Sequence, residues 1–293
     1  MTMTKFFKVA EHVFSVTMPD TCPLWEEMQQ YDPFVIPEGD GAIFSVEVVD
    51  SLPERDRVKL YGGSEEPGEP VVMLYRAGED WITETAVFSG RPFAARMLAN
   101  ADFTLGRVQI LNPGEALFGL NNALMLMYAF RTAGMGTLEM HASVIVNGGR
   151  AFLWLAKSGT GKSTHSRLWL RYIEGSRLLN DDNPVVRLLP DGHVEVYGTP
   201  WSGKTPCYRN EHYPLGAFVQ IRRSLVNSIS PQPPLEAYAT LYSSSSGFKS
   251  DPVMADQLHS TFEKMVSRCR FYNLDCRPDE EAARVSSKEL LAL

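Results

Sequence analysis

Short blocks of apolar residues, separated by turn-forming residues, fill the first third of the chain. The blocks are rich in β-branched and aromatic side chains, which is typical of strands joined by turns. They cover residues 6–16, 42–49, 71–76, 81–88 and 103–111. The polar, glycine- and proline-containing tract 62–70 between two of them predicts an exposed loop. We therefore predict a β-rich N-terminal domain over residues 1–112.

A helical period replaces this pattern after residue 114. Apolar residues recur at three- and four-residue spacing over 115–132, and Gly134 stands just past the end. Methionine is frequent on this helix and is expected to pack in a core, because its side chain fills irregular gaps. We assign the helix to a second domain, 113–293, which it joins to the first.

Strands and helices then follow one another, which predicts the α/β class for the second domain. Residues 141–146 and 151–155 predict two strands joined by a tight turn at 147–149. A glycine-containing loop and a helix over 163–173 come directly after the second strand. The later elements are strands at 177–179, 185–188, 194–197 and 271–274, a helix at 252–268 and a final helical turn or two.

The loop 156–163, which reads Ala-Lys-Ser-Gly-Thr-Gly-Lys-Ser, has the composition of a phosphate-binding loop. Gly159 and Gly161 let backbone N–H groups wrap around a phosphate, and the following helix presents its positive N-terminal end. Ala156 stands where the phosphate-loop motif usually has its first glycine. The predicted strand before the loop and the predicted helix after it are nevertheless the context that the motif requires. The predicted nucleotide contacts are Ser158, Gly159, Thr160, Gly161, Lys162, Ser163 and Thr164.

Within this loop, two side chains have distinct predicted roles. Lys162 is expected to reach the β- and γ-phosphates of ATP, and the Ser163 hydroxyl is expected to hold Mg²⁺.

An acidic pair, Asp181 and Asp182, follows a short apolar strand. Two adjacent carboxylates could divide two tasks, binding the metal and accepting a proton from an attacking hydroxyl. A solvated turn or a helix cap is the structural alternative for this acidic pair.

Two further residues have no assigned role on the sequence pattern alone. His141 opens the strand that pairs with the one entering the loop, although a lone histidine is more often structural. Glu195 lies on an alternating strand, where a glutamate is usually solvated. The small-residue run 198–204 is either a structural turn or a loop that closes over a ligand.

Four segments in this order resemble the catalytic domain of HPr kinase/phosphorylase, a fold related to ATP-dependent phosphoenolpyruvate carboxykinase. They are 141–144, 158–163, 178–182 and 194–198, and the resemblance covers roughly residues 136–200. It implies a phosphoenolpyruvate carboxykinase/HPr kinase-like nucleotide-binding domain that uses ATP and Mg²⁺.

The resemblance also implies roles for individual residues. Ser163, Asp182 and Glu195 become metal ligands, and the catalytic set becomes His141, Lys162, Asp181 and Asp182. Which aspartate accepts the proton and which binds metal stays open. Tyr197 stands where HPr kinases carry arginine, so HPr itself and the reverse phosphorylase reaction are left outside the prediction.

Charge and composition narrow the partners. A formal net charge of -7 and an isoelectric point near 5.5 argue against nucleic-acid binding, because proteins that bind nucleic acids usually carry a basic stripe. The longest apolar run, 123–130, is too short to span a membrane, and no secretory signal is recognised. The four cysteines lack zinc-type spacing. We expect a cytoplasmic protein without a membrane partner, and leave homo-oligomerisation open.

The sequence thus predicts an ATP- and Mg²⁺-dependent kinase whose acceptor is a hydroxyl of a protein serine or of a small metabolite. One alternative is an ATP-binding regulator or accessory protein that has lost catalysis. Another is a carboxykinase-like enzyme acting on a small carboxylic acid. That enzyme would need arginines near the loop, for which Arg209, Arg222 and Arg223 are candidates.

Overall fold

The computed structural model describes residues 1–39, 41–63, 69–203 and 205–293. Backbone contacts divide the chain into two compact units, Met1–Arg131 and Thr132–Leu293. Both are mixed α/β and rich in sheet, as the sequence predicts. All but the last residue of the helix Ala116–Thr132 belongs to the first unit. The domain boundary between residues 112 and 113 stays a prediction.

The first unit is built on a sheet of nine described strands. They are β1 Thr2–Val9, β2 His12–Pro19, β3 Val35–Ile36, β4 Phe44–Val49, β5 Val58–Gly63, β6 Val71–Ala77, β7 Asp80–Ala86, β8 Ala95–Ala99 and β9 Leu105–Ile110. Their order across the sheet is β3-β1-β2-β4-β9-β8-β7-β6-β5.

Helical segments connect some of these strands. A short helix α1, Leu24–Glu27, and a 3₁₀ segment, Gln29–Phe34, lie between β2 and β3, and a second 3₁₀ segment, Pro113–Glu115, precedes helix α2, Ala116–Thr132. Helix α2 packs on the sheet, where the Tyr128 hydroxyl donates to the Val9 carbonyl at 3.1 Å.

Several features of this sheet differ from the prediction. The single strand expected over 6–16 is a hairpin, because Ala10 and Glu11 turn the chain with φ angles of 47° and 63°. Neither residue is a usual former of that turn, so the sequence carried no turn signal. Strand β8 was missed because its alanines and long side chains favour helices over strands.

Strand β5 and the short strand β3 were also missed. Residues 62–63 of the predicted loop 62–70 belong to β5, and residues 64–68 lie outside the described part of the chain.

In the second unit, nine described strands form a mixed sheet covered by helices. Its strands are β10 Thr137–Glu139, β11 Ala142–Asn147, β12 Arg150–Leu155, β13 Arg177–Asp182, β14 Val185–Leu188, β15 Val194–Tyr197, β16 His212–Arg223, β17 Ser228–Pro231 and β18 Phe271–Cys276. The main path through the sheet is β10-β14-β15-β16-β12-β11-β13, and β18 pairs with β16 and β17. The helices are α3 Lys162–Tyr172, α4 Pro234–Ser244, α5 Pro252–Val266 and α6 Glu280–Leu290.

Strand direction decides where the candidate site lies in this sheet. Strands β12, β16 and β18 run parallel, so their carboxyl ends meet at one edge. In open α/β sheets, ligands bind outside the carboxyl ends of the strands. The predicted strand 177–179 extends as β13 to Asp182, which puts the acidic pair at the end of the strand and not after it.

Tryptophan side chains fill the core between α3 and the sheet. Trp169 lies with its ring centroid 5.5 Å from that of Phe152 and 5.3 Å from that of Trp154, and it is fully buried. Its indole N–H donates to the Ser286 hydroxyl at 2.9 Å, which ties α3 to α6. The helix that begins at the loop is therefore fixed by burial of a large side chain.

Replacing Trp169 with alanine is expected to lower the free energy of unfolding by about 3–5 kcal/mol, because the truncation leaves a cavity in a packed core. Urea unfolding followed by circular dichroism measures the change. Leu170→Ala is the matched control, since the neighbouring Leu170 is exposed and its truncation should cost about 0.5 kcal/mol or less. Equal losses in the two variants would contradict this description of the core.

Candidate functional site

The loop between β12 and α3 contains two glycines with positive φ angles. Gly159 and Gly161 have φ angles of 71° and 136°, in the range that side chains other than glycine rarely adopt. A Cβ at either position would meet no atom within 4 Å, so backbone conformation and not crowding requires glycine here. Helix α3 begins directly after Gly161, and its first-turn N–H groups face the loop.

Lys162 lies at the base of this loop. Its Nζ donates to the Ala156 carbonyl at 3.1 Å and lies 2.9 Å from His141 Nε2. The hairpin register explains the second contact: Ala142 pairs with Leu155, so His141 comes next to the first residue of the loop. The structure therefore brings His141 and Lys162 together.

Asp182 lies beside His141 in the same group of side chains. One of its carboxylate oxygens, Oδ1, lies 3.4 Å from His141 Nε2, and its side chain is 41% exposed. Its φ angle of 151° is one that a non-glycine residue adopts at a cost of about 1–3 kcal/mol. A bridge to Ser202 holds the backbone in this conformation. Such strain is found most often at functional sites.

Asp181 is the buried member of the acidic pair, with 6% of its surface exposed. It pairs with Ser143, whose hydroxyl lies 2.5 Å from that of Ser166 on α3, so Asp181 shares the face of the sheet that α3 covers. Asp182 pairs with Ala142, and its side chain is 41% exposed. The two carboxylates of the pair therefore differ in burial.

The run 198–204 is fastened to the end of β13. The Thr199 hydroxyl donates to the Asn183 carbonyl at 2.7 Å, and the Gly203 N–H donates to the Asp181 carbonyl at 2.7 Å. A Cβ on Gly203 would lie 3.1 Å from the Cβ of Asp182, so glycine permits this close approach. Lys204 lies outside the described residues. The described part of the run therefore supports the backbone of the acidic pair.

Glu195 contacts a histidine of the neighbouring strand. Its Oε2 lies 3.1 Å from Nδ1 of His212, whose ring stacks on that of Tyr197 with centroids 5.0 Å apart. The structure thus joins Glu195 to His212, a residue for which sequence reasoning found no role. Metal binding by Glu195 stays a prediction.

Glu139 is a residue that sequence reasoning missed. Its side chain is 2% exposed, and Oε2 has no hydrogen-bond partner among the described residues. The other oxygen accepts a long hydrogen bond of 3.4 Å from the Ser246 hydroxyl. Burial raises the pKa of Glu139 to about 8, and the nearby charge of Asp182 acts in the same direction. A single acidic residue within the apolar stretch 138–140 is the only sequence signal, and it is a weak one.

The variant Glu139→Gln is expected to become more stable than the wild type as pH rises. The carboxyl group titrates near 4.5 in the unfolded chain and near 8 when folded, so folding takes up a proton between these values. The free energy of unfolding of the wild type therefore falls across this window, whereas the amide of Glu139→Gln cannot ionise. The stability difference in favour of the variant should grow by on the order of 4 kcal/mol from pH 4.5 to pH 8, because each unit of pKa difference between the folded and unfolded states corresponds to about 1.4 kcal/mol.

Urea unfolding at several pH values measures this difference, with Glu263→Gln, an exposed substitution on α5, as the control. The control should stay within about 0.5 kcal/mol of the wild type throughout. Parallel pH profiles for wild type and Glu139→Gln would show that Glu139 is ionised in the folded protein.

Arg223, at the carboxyl end of β16, contacts the loop directly. Its guanidinium donates to the carbonyl oxygens of Gly159 and Thr160, the latter at 3.2 Å. Sequence reasoning considered this arginine only for a carboxylate substrate. Arg222, beside it, instead pairs with Glu236 at 2.6 Å. The contact therefore joins the end of β16 to the phosphate-loop backbone.

The described geometry defines a mixed α/β protein with a glycine-containing loop between a buried strand and a helix, and with a lysine, a histidine and an aspartate beside that loop. Comparison with known proteins assigns no family, since no family model matches the sequence and no curated protein matches it significantly. Within the described part of the chain, no helix is long and apolar enough to cross a membrane.

Proposed function

We propose that the second unit binds ATP with Mg²⁺ and transfers the γ-phosphoryl group to a hydroxyl, on an HPr kinase-like fold. The observation that carries the proposal is the grouping of Lys162, His141 and Asp182 beside the loop, with Nε2 of His141 2.9 Å from the lysine and 3.4 Å from the aspartate. A cation, a proton-transfer group and a carboxylate next to a phosphate loop are the parts that phosphoryl transfer needs.

Phosphate binding is assigned to the loop backbone and Lys162. The left-handed glycines allow the backbone N–H groups to converge, and the N-terminal end of α3 favours negative charge. Lys162 is buried, so its charge acts on a bound phosphate through a medium of lower dielectric constant than water. When ATP binds, the Lys162 amine would give up its hydrogen bond to the Ala156 carbonyl and donate to phosphate oxygens instead.

Hard oxygen ligands suitable for Mg²⁺ are present. Mg²⁺ usually takes one or two carboxylates together with substrate phosphates and water. Ser163, in the first turn of α3, offers a hydroxyl, and Asp181 shares the face of the sheet that this helix covers. This assignment favours Asp181 for the metal and leaves Asp182 for the proton. When bound, Mg²⁺ would neutralise charge on the β- and γ-phosphates.

The transfer step then proceeds through residues of this chain. The acceptor oxygen bonds to the γ-phosphorus, the bond from that phosphorus to the β,γ-bridging oxygen breaks, and ADP leaves with the bond electrons. Asp182 accepts the proton of the acceptor hydroxyl, and His141 holds the carboxylate in place from 3.4 Å. Lys162 offsets the charge that develops on the transferring group.

Incubation with Mg²⁺ and ATP labelled at the γ-phosphate tests the proposal. The acceptors offered are a degenerate serine-containing peptide library and simple polyols such as glycerol and inositol. We expect label on a hydroxyl of one acceptor class, dependent on Mg²⁺ and strongly reduced in Lys162→Ala. ATP binding without release or transfer of label would support the regulator alternative and contradict a kinase.

A further inference from the structure

Two large apolar side chains are strongly exposed on one turn of the second unit. Leu225 is 87% exposed and Val226 is 67% exposed, at the connection between β16 and β17. Single exposed apolar residues are common on protein surfaces, but adjacent ones that form a patch more often mark a contact site.

The turn that carries them is fixed by hydrogen bonds. The Ser224 N–H donates to the Cys276 carbonyl at 3.1 Å, and the Val226 N–H donates to the Ser224 hydroxyl at 3.1 Å. Beyond them, the Asn227 amide donates to Asp279 at 3.0 Å and accepts from the Arg277 N–H at 2.8 Å. The two apolar side chains are therefore held outward by an ordered backbone.

The position of the turn relates it to the phosphate loop. Strands β12 and β16 are parallel neighbours, so the loop after β12 and the turn after β16 leave the same edge of the sheet. Arg223, two residues before Leu225, donates to the carbonyls of Gly159 and Thr160. The exposed patch therefore lies at the same edge of the sheet as the loop that is proposed to hold phosphates, on the side of β16 where β18 pairs, and Arg223 links the two.

We propose that Leu225 and Val226 form the subsite for the base of the bound nucleotide, whose planar apolar face packs on them while the phosphates occupy the loop. The proposal rests on the proposed function, because the occupant is the nucleotide assigned to that loop. Burial of a base against these side chains would remove their apolar surface from water, which favours binding. Polar recognition of the base edge is not part of this contact.

Two consequences distinguish this subsite from a structural turn. ATP and GTP should bind with affinities within about threefold, because an apolar surface discriminates weakly between ring systems of similar size. The double variant Leu225→Ser/Val226→Ser should lose about five- to twentyfold in affinity for ATP, from the reduced apolar burial. Its affinity for inorganic triphosphate, which has no base, should not change.

Calorimetric titration of the full chain with Mg²⁺ complexes of ATP, GTP and inorganic triphosphate tests the subsite. Leu235→Ser is the matched control, since Leu235 is similarly exposed but lies past the opposite end of β17. The control should bind all three ligands like the wild type. Circular dichroism verifies that each variant is folded.

Several results would overturn the subsite. Unchanged ATP affinity in the double variant contradicts it, and an equal loss for triphosphate would show that the turn supports the loop and not the base. A tenfold preference for one base would contradict purely apolar packing. An altered oligomeric state by sedimentation, with unchanged ATP affinity, would assign the patch to contacts between copies. Wild-type protein that binds neither ATP nor triphosphate would overturn the proposed function itself.

Discussion

Asp182→Asn is expected to lower the turnover number for phosphoryl transfer by about 10²- to 10⁴-fold, the usual contribution of a positioned proton acceptor. Asparagine keeps the shape of the side chain but cannot take the proton of the acceptor hydroxyl. Because Asp182 is assigned to the proton and not to the phosphates, the dissociation constant for Mg–ATP should stay within a few-fold of the wild type.

Rates of label transfer from γ-labelled ATP measure the effect, and a binding titration measures the affinity. Asp191→Asn is the control, since Asp191 lies on the exposed turn between β14 and β15 and pairs with His193 at 3.0 Å. The control should retain the full rate. A full rate in Asp182→Asn would return this residue to a structural role, whereas loss of ATP binding would identify it as a metal ligand.

Lys162→Ala is expected to lower the turnover number by about 10²- to 10³-fold, the scale of removing one preorganised charge-stabilising group from a transition state. The variant loses the cation that offsets charge on the transferring phosphoryl group. The Lys162 amine also contacts Ala156 and His141, so truncation leaves these two without that partner. The same transfer assay measures the loss.

Lys157→Ala provides the matched control, because Lys157 belongs to the same loop but its side chain is exposed. It should retain most of the wild-type rate. Comparable losses in the two lysine variants would mean that the net charge of the loop, and not the position of Lys162, governs activity.

Local sequence signals were sufficient to predict the strand, loop and helix around Lys162. Apolar runs at 151–155 and the glycines of the loop act within a few residues, so their effect can be predicted without knowledge of the tertiary fold. The hairpin that brings His141 beside Ala156 was predictable for the same reason, because Gly148 and Gly149 set its turn.

Other parts of the site depend on tertiary contacts that leave no local pattern. Strand β16 was missed because Pro214 and Gly216 interrupt it, and with it the contact of Arg223 with the loop. Burial of Glu139 depends on segments far away in the sequence, such as Ser246. The different burial of Asp181 and Asp182 depends on how the sheet and α3 pack around the end of β13, which no local pattern records.

Calorimetric titration with Mg–ATP of the wild type, Lys162→Ala and Lys157→Ala tests directly whether the loop 156–163 binds the phosphates of ATP. We expect saturable binding to the wild type, wild-type affinity in Lys157→Ala, and affinity reduced by about tenfold or more in Lys162→Ala, because a charged hydrogen bond contributes about 1.5–3 kcal/mol. Absence of binding to the wild type, or unchanged affinity in Lys162→Ala, would contradict phosphate binding by this loop.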